Sequence, residues 1–225
     1  RLQRTETGVL TIGMVRTAKY FMMKMLAEFR RGHQGIELKL SMGNREQLVQ
    51  MLQNNDVDIA IMGRPPKELQ TRAEPFAAHP HVFVASTEHA LVQRGHLNAE
   101  DLRAYDFIVR ENGSGTRAAM AKFFDEARVE PRLQMQVQSN ETLKQAVMAG
   151  LGLGFISLHT IQHELNNGLI ACLDVEGTPV VSAWNVVHTQ SKMLSPAAEA
   201  FRYFMLEEGE KFLADNFSNA FLSKK

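Results

Sequence analysis

The sequence predicts an α/β protein built from two units of similar design. Short apolar runs typical of strands alternate with longer segments whose apolar residues recur every three or four positions, as in helices. This alternation occurs twice, over about one hundred residues each time. A chain of 225 residues with 44% hydrophobic content can also bury a substantial core.

The first unit begins as a β-α-β-α-β segment. Residues 8–15, GVLTIGMV, form an apolar strand, and a helix ending near Gly32 follows. IELKLSM alternates as a strand does, and a short helix around Leu48 and Leu52 leads into the strand VDIAIMG. Three strands linked by helices predict a parallel sheet. The buried face of the first helix is predicted to carry Met22, Met25, Leu26 and Phe29.

The second unit repeats the pattern with different residues. HVFVAS and DFIV are predicted strands, and the helix after GSGT has Ala119, Phe123 and Ala127 four residues apart. RLQMQVQ, LGFIS and LIACLDV are further strands, separated by helices at NETLKQAVMAG and LHTIQHEL. A long strand, VVSAWNVVHT, then leads to a last helix with Ser195 as its cap and Pro196 at its first position.

A glycine turn between a strand and a helix is the most informative short segment. RENGSGTRAAM, residues 110–120, places Ser114, Thr116 and Arg117 at a predicted helix N-terminus. The first N–H groups of a helix lack partners and its dipole is positive there, so the turn can receive an anion. In the alternative interpretation, Asn112 or Ser114 caps the helix and the glycines relieve backbone strain. The sequence leaves both interpretations open.

The loops after the predicted parallel strands are unusually cationic. Ligands of open parallel sheets bind where the carboxyl ends of the strands meet. The chain has 25 basic and 25 acidic residues, so it has no global attraction for nucleic acid or anionic membranes. Local basic loops therefore predict a phosphate or carboxylate ligand. The basic residues of these loops are Arg16, Lys19, Arg45, Arg64, Arg110 and Arg117, and Asn140 and Glu141 lie at another helix start.

Catalytic and cofactor motifs are incomplete. GSGTRA matches the dinucleotide fingerprint G-x-G-x-x-A, but the next strand ends in glutamine and serine where an acidic ribose ligand is expected. No G-K-[ST] phosphate loop occurs, and Asn112 prevents a G-x-S-x-G match around Ser114. We therefore expect no enzyme activity and no cofactor.

The histidines and the single cysteine show no spacing that predicts a metal site. His159 and His163 lack a nearby acidic ligand and are interpreted as surface residues, and the HPH segment, residues 79–81, as a turn. Cys172 is the single cysteine and is expected to be a buried, inert thiol. The absence of an intrachain disulfide, a signal peptide and a membrane-spanning run favours a cytoplasmic location without membrane contact.

Several segments resemble one protein family in their order and spacing. VRTAKYF, GNREQL, DVDIAIMGRPP, RENGSGTR, SNETLKQAVMAGLGLGFISLHTI and LDVEGTPVVSAWNVVH resemble the effector-binding domain of LysR-type transcriptional regulators, most closely the CbbR branch, which controls Calvin-cycle operons. The resemblance implies two Rossmann-like lobes joined by two crossover strands, similar to type 2 periplasmic binding proteins. Lobe I would comprise 8–78 and 179–213 and lobe II 79–178, with 1–7 as the end of a linker helix and 214–225 as a tail.

The resemblance also implies a function and a set of ligand contacts. An anionic, phosphorylated metabolite would bind between the lobes, shift their arrangement and so control transcription of carbon-fixation genes, including those for RuBisCO. Candidate effectors are ribulose 1,5-bisphosphate, phosphoenolpyruvate, ATP and NADPH. The alternative is a solute-binding protein of a transport system with the same two-lobed fold. The implied contacts are Arg16, Thr17, Lys19, Asn44, Arg45, Arg64, Glu111, Ser114, Thr116, Arg117, Ser139 and Asn140.

The family's other features concern parts outside this sequence. The resemblance implies an N-terminal winged helix-turn-helix that contacts operator DNA, and RLQRTETG is interpreted as the end of the linker that follows it. We expect the chain to form a homodimer or homotetramer and to reach DNA only through that N-terminal part. Arg16 departs from the serine that is common in the CbbR branch at this position.

Overall fold

The chain folds into two compact units in a computed structural model, which describes residues 7–217. Unit 1 contains the described residues up to Ala78 together with Ser182–Asn216, and unit 2 contains His79–Val181 with Phe217. The chain leaves unit 1 within one long strand and returns to it within another. The predicted lobe boundaries at residues 78 and 179 stay a prediction.

Strands and helices alternate through most of the chain. The strands are β1 (Gly8–Val15), β2 (Ile36–Gly43), β3 (Ile59–Met62), β4 (Thr71–Ala85), β5 (His96–Leu97), β6 (Asp106–Arg110), β7 (Arg132–Val137), β8 (Gly154–Ser157), β9 (Ala171–Cys172), β10 (Asp174–Val175) and β11 (Val180–Thr189). The helices are α1 (Lys19–Gly32), α2 (Arg45–Gln53), α3 (Ala90–Arg94), α4 (Gly115–Ala127), α5 (Asn140–Met148), α6 (Gln162–Asn166) and α7 (Pro196–Asn216). Short 3₁₀ turns precede α1 and α6 and a third precedes β6.

Unit 1 is built on a parallel core of three strands, as predicted. β1 pairs in parallel with β2 on one side and with β3 on the other, and β11 pairs antiparallel with β3. Phe21 from α1 packs its ring against Trp184 of β11, with the two ring centroids 5.1 Å apart. The Phe29 ring contacts the Phe201 ring of α7, with the two centroids 5.5 Å apart, and this contact joins the first and last helices. The predicted apolar face of α1 is buried.

In unit 2, α4 and α5 pack on opposite faces of β4. Phe83 lies in one apolar cluster with Phe124 of α4, whereas Val82 and Val84 lie in a second cluster with Leu143 of α5. Successive side chains of a strand point to opposite faces, so β4 carries a helix on each face. β4 pairs antiparallel with β8 and β9, β6 pairs in parallel with β7, and β5 pairs in parallel with β10.

Several sequence predictions about unit 2 are wrong in detail. HPH, residues 79–81, continues β4 and forms no turn, because His81 pairs with Ser157 of β8. LIACLDV forms two separate two-residue strands, and LHTIQHEL is a 3₁₀ turn followed by α6. The buried residues of α4 include Met120 and Phe124, with Phe123 only partly buried and Ala127 exposed.

The ends of the chain are described only in part. α7 starts as predicted, since Ser195 Oγ accepts a hydrogen bond from the Ala198 N–H at 3.2 Å. α7 continues through Asn216, so its last three residues lie in the predicted tail, residues 214–225. The predicted linker-helix end lies mostly outside the described residues, as does most of the predicted tail.

Candidate anion-binding site

The predicted contact residues of unit 1 gather at one edge of its sheet. Val15 at the end of β1 is in register with Gly43 at the end of β2, and Met14 is in register with Ile61 of β3. The segments that follow these three strands therefore begin at the same edge. We call this set the unit 1 edge; it contains Arg16, Thr17, Lys19, Asn44, Arg45 and Arg64.

The first loop of the unit 1 edge is a 3₁₀ turn that leads directly into α1. Thr17 is buried in this turn, whereas Lys19 is exposed and lies 5.6 Å from the centre of the Tyr20 ring. Arg16 Nη1 donates a hydrogen bond to Gln47 Oε1 at 3.3 Å. Gln47 lies in the first turn of α2, so this contact links the loops after β1 and β2.

The second loop is fixed by a capping box. Asn44 Oδ1 accepts a hydrogen bond from the Gln47 N–H at 2.9 Å, and Gln47 Oε1 accepts from the Asn44 N–H at 2.8 Å. Arg45 then donates from Nε and Nη2 to the carbonyl oxygen of Arg64. The sequence N-R-E-Q contains this cap because an asparagine side chain and a glutamine three residues later satisfy each other's backbone N–H groups.

The unit 1 edge carries positive charge that the described residues leave uncompensated. Within residues 7–217, no Asp or Glu side chain forms an ion pair with the basic residues of this edge. An anion can therefore bind here without displacing an acidic side chain. The residues concerned are Arg16, Lys19, Arg45 and Arg64.

Unit 2 has a comparable edge at the carboxyl ends of β6, β7 and β8. Arg110, the last residue of β6, is in register with Val137, the last residue of β7. Phe107 of β6 forms a parallel bridge with Leu153, just before β8. We call the following set the unit 2 edge; it contains Arg110, Glu111, Ser114, Thr116, Arg117, Ser139, Asn140, Ser157 and Thr160.

The glycine turn places Ser114 as the cap of α4. Gly113 has a φ of 91°, in the left-handed region that favours glycine. Ser114 Oγ accepts a hydrogen bond from the Arg117 N–H at 3.3 Å, so capping by Ser114 is confirmed. This bond satisfies one of the unpaired N–H groups of the first turn. The other first-turn N–H groups and the positive end of the helix dipole still suit an anion.

Arg117 supplies the uncompensated charge of the unit 2 edge. Arg110 is buried and forms a two-point ion pair with Glu111, with distances of 2.8 Å from Nε to Oε1 and 3.3 Å from Nη2 to Oε2. Arg117 donates from Nη1 to the Arg110 carbonyl oxygen at 2.7 Å and forms no ion pair within the described part of the chain. Glu111 therefore neutralises one arginine and leaves the other available.

The start of α5 is the second helix N-terminus of the unit 2 edge. Ser139 Oγ accepts a hydrogen bond from the Thr142 N–H at 3.0 Å, so Ser139 caps α5, and Asn140 is buried behind it. Lys144 is also buried; it donates to the Thr160 carbonyl oxygen at 3.0 Å. This bond ties α5 to the turn that follows β8.

Three buried histidines lie beside the unit 2 edge, and sequence reasoning missed them. His79 Nε2 is 2.7 Å from Ser157 Oγ, and His81 Nε2 is 3.3 Å from Thr116 Oγ1. The His79 ring stacks on the His159 ring with centroids 5.8 Å apart. His159 is therefore buried, which corrects its interpretation as a surface residue, whereas His163 is exposed. Alternate positions 79 and 81 of a strand share one face, and this spacing was the signal in the sequence.

Burial keeps the three imidazoles neutral. Desolvation lowers the pKa of His81 to about 3, with a further contribution from His159, and lowers the pKa of His159 to about 4. The pKa of His79 is lowered well below its ordinary value by burial and by the charges that His81 and His159 would carry. His79 and His81 therefore contribute hydrogen bonds to the unit 2 edge, and none of the three histidines adds positive charge near neutral pH.

The described residues offer neither a metal cluster nor a membrane span. Between residues 7 and 217, no three His, Cys, Asp or Glu side chains are arranged to hold a metal ion. No helix in this range is long and apolar enough to cross a membrane. Cys172 is half-buried rather than fully buried. Both edges thus offer capped helix starts and basic loops, and these features bind oxyanions.

Comparison with known proteins identifies the class of protein. Residues 3–210 match the family described as the LysR substrate binding domain, and the chain belongs to that family. It is 45% identical over 214 residues to the HTH-type transcriptional regulator CbbR of Xanthobacter flavus, covering 94% of this chain and 64% of the relative. It is 43% identical over 210 residues to the RuBisCO operon transcriptional regulator of Allochromatium vinosum, covering 93% of this chain and 70% of the relative.

A solved structure supports the fold and the class. The regulatory domain of CcmR from Synechocystis PCC6803, in complex with 2-PG, superimposes with a TM-score of 0.85 at 33% identity, covering 89% of this chain and 97% of the other. The prediction of an α/β fold similar to type 2 periplasmic binding proteins is confirmed. Both relatives are named as regulators rather than enzymes, in agreement with the prediction, and the chain spans about two thirds of their length.

Proposed function

We propose that this chain is the effector-sensing domain of a LysR-type transcriptional regulator that controls carbon-fixation genes. Relatives at 43% and 45% identity are named CbbR and a RuBisCO operon regulator, which supports this assignment. The whole protein would act on operator DNA in the cytoplasm, through an N-terminal helix-turn-helix. The chain alone would sense the signal, because it has no net charge with which to attract nucleic acid.

The proposed ligand is a phosphorylated, anionic metabolite. The observation that carries this proposal is the uncompensated positive charge of both edges, at Arg117 in unit 2 and at four basic residues in unit 1. Guanidinium groups and capped helix starts match phosphate oxygens in geometry and charge. The related CcmR domain binds 2-PG, which is 2-phosphoglycolate, an anion of this class. The predicted contact residues, including Glu111, Ser139 and Asn140, remain proposals.

The effector would act by shifting a conformational equilibrium. A ligand changes such an equilibrium only by the difference between its affinities for the two states, so the signal must bind the active and inactive forms unequally. A ligand that binds both states equally would leave transcription unchanged, however tightly it binds. The relatives named above are regulators, and no observation favours the alternative role in transport.

Calorimetric titration of the chain tests the ligand class. The compounds are 2-phosphoglycolate, ribulose 1,5-bisphosphate, phosphoenolpyruvate, ATP and NADPH, each at the same salt concentration and pH. Saturable binding of one of them, with little response to its dephosphorylated analogue, is the expected result. Equal binding of the phosphorylated and dephosphorylated forms, or no binding by any compound, would contradict the proposed ligand class.

We further propose that the chain self-associates through an apolar groove in unit 1. The groove is lined by α1 and β2, with Met23, Leu38 and Leu40 among its lining residues, and its volume is about 540 Å³. Within the described residues β2 pairs only with β1, so it offers an unpaired strand edge. Arg30 and Arg31 also line the groove, and Glu28 of α1 forms an ion pair with Arg31. Both signs of charge therefore lie beside the groove, which suits contact between two copies related by a two-fold axis.

A further inference from the structure

Thr116 and His81 form a buried hydrogen bond at the start of α4. Thr116 is the second residue of α4, between Ser114, which caps the helix, and Arg117. His81 lies on β4, and both side chains are more than nine-tenths buried. The His81 ring is held parallel to the Phe155 ring, at 9° with centroids 5.3 Å apart. The position of the imidazole is therefore fixed by packing.

The surroundings of the His81 ring decide which nitrogen carries its proton. A neutral imidazole has one N–H donor and one acceptor nitrogen. Nδ1 of His81 is buried and has no hydrogen-bond partner within residues 7–217, whereas Nε2 contacts Thr116 Oγ1. Buried N–H groups without an acceptor are rarer than under-used acceptors. The proton is therefore best placed on Nε2, from which it is donated to the threonine oxygen.

This arrangement leaves the Thr116 hydroxyl proton available. A hydroxyl has one proton to donate, and its oxygen already accepts from His81. No other hydrogen bond of the Thr116 side chain exists within the described residues. The hydroxyl can thus donate this proton to a ligand oxygen that binds at the start of α4, beside the helix N–H groups and the Arg117 guanidinium.

We propose that His81 is a positioning residue, which orients the Thr116 hydroxyl so that it donates to an oxyanion of the effector. This inference rests on the proposed function, and it adds the chemistry of the ligand group. That group is an acceptor-only oxygen of a phosphate or carboxylate. An amine or a hydroxyl that points its own proton here would place that proton against the Thr116 hydroxyl proton. Neutrality of His81 near pH 7 agrees with this role, since burial lowers its pKa to about 3.

A mutant cycle with 2-phosphoglycolate as the probe tests whether His81 acts through Thr116. Thr116→Val removes the hydroxyl with little change of shape, and we expect binding to weaken about tenfold. His81→Phe keeps the aromatic packing and should weaken binding about threefold. The double variant should bind as Thr116→Val does, because His81 has no route to the ligand once the hydroxyl is absent.

Two controls separate this role from a purely structural one. His163→Gln changes an exposed histidine of α6, outside the unit 2 edge, and it should leave affinity for 2-phosphoglycolate unchanged. Thr116→Ser retains a hydroxyl and should bind within about twofold of the unchanged chain. If His81→Phe weakens binding equally with and without the Thr116 hydroxyl, the proposed positioning role is wrong.

Nitrogen-15 NMR of the histidine rings tests the inference without any variant. The spectrum of the unchanged chain should show the His81 proton on Nε2, and a proton on Nδ1 would overturn the inference whether or not a ligand binds. If the proton is on Nε2 but neither 2-phosphoglycolate nor inorganic phosphate binds, the proposed ligand class fails while the orientation of the Thr116 hydroxyl stands.

Discussion

Arg117 and Arg110 are joined by a hydrogen bond of 2.7 Å from the Arg117 guanidinium to the Arg110 carbonyl oxygen. This bond fixes the side chain of a first-turn residue of α4 against the last residue of β6. A guanidinium has five N–H donors, so the remaining ones can bind an oxyanion in a geometry that is already set. Preorganisation of this kind lowers the entropy lost on ligand binding.

Replacing Arg117 should therefore weaken effector binding. Arg117→Ala removes the uncompensated cation of the unit 2 edge, and we expect a loss of about 1 to 3 kcal/mol of binding free energy. Calorimetry with the effector identified by the titrations measures the change. Lys122→Ala is a matched control, because Lys122 is an exposed cation on the same helix. An equal loss in both variants would mean that Arg117 acts only through overall charge.

The unit 1 edge makes a separate prediction at Arg64. Arg64 is exposed and follows β3, while its carbonyl oxygen is held by Arg45. Arg64→Ala should weaken effector binding roughly tenfold, and the loss should shrink as salt concentration rises, because an exposed charge is screened. Lys67→Ala, three residues further along the chain, should have little effect. Unchanged affinity of Arg64→Ala would remove this loop from the proposed contacts.

Both edges could be predicted from the sequence because their location follows from topology. Parallel strands place their carboxyl ends together, so the order of strands and loops is enough to group Arg16, Arg45 and Arg64. The same argument groups Ser114 with Ser139 in unit 2. Neither grouping requires knowledge of how distant side chains meet.

The histidine contacts could not be predicted in this way. His81 reaches Thr116 because β4 pairs antiparallel with β8 and carries α4 on the same face as Phe83. That register joins residues 35 positions apart and depends on tertiary packing. A proline between two histidines instead suggested a turn, since proline lacks the N–H of a strand ladder.

Self-association should depend on the groove between α1 and β2. Leu40 is 39% exposed in this groove, and Leu40→Lys would place a charge in the proposed contact. We expect this variant to sediment as a smaller species than the unchanged chain in analytical ultracentrifugation. Leu151→Lys is the control, because Leu151 is an exposed leucine of unit 2. If the unchanged chain is monomeric, or if both variants dissociate alike, the groove is not the interface.

Gly209 is predicted to be required for the packing of α7 in unit 1. A Cβ atom at this position would lie 2.5 Å from Cδ2 of Phe76, a buried ring of β4. Gly209→Ala should therefore destabilise the fold by about 1 to 3 kcal/mol, despite the higher helix propensity of alanine. Gly32→Ala is the control, since a Cβ at this helical glycine meets nothing within 4 Å. Thermal unfolding should show a lowered midpoint for the first variant only.

Stability should fall below about pH 6.5 because of the three buried histidines. Burial lowers the pKa of His81 to about 3 and that of His159 to about 4, so the folded chain binds fewer protons than the unfolded chain as the pH falls. The full stability is present above the unfolded-state pKa of about 6.5, and each of these two histidines should remove about 2 kcal/mol by pH 5. His79 shifts in the same direction. Urea unfolding between pH 5 and 7.5 measures this slope.

Replacing one histidine of the cluster tests the origin of that slope. His159→Phe keeps a ring that can stack on His79 and removes one titrating group, so the free energy of unfolding should fall less steeply with decreasing pH, by about 1.4 kcal/mol per pH unit. His163→Gln is the matched control, because His163 is exposed and its replacement should leave the slope unchanged. A slope that His159→Phe does not alter would show that the acid sensitivity arises elsewhere in the fold.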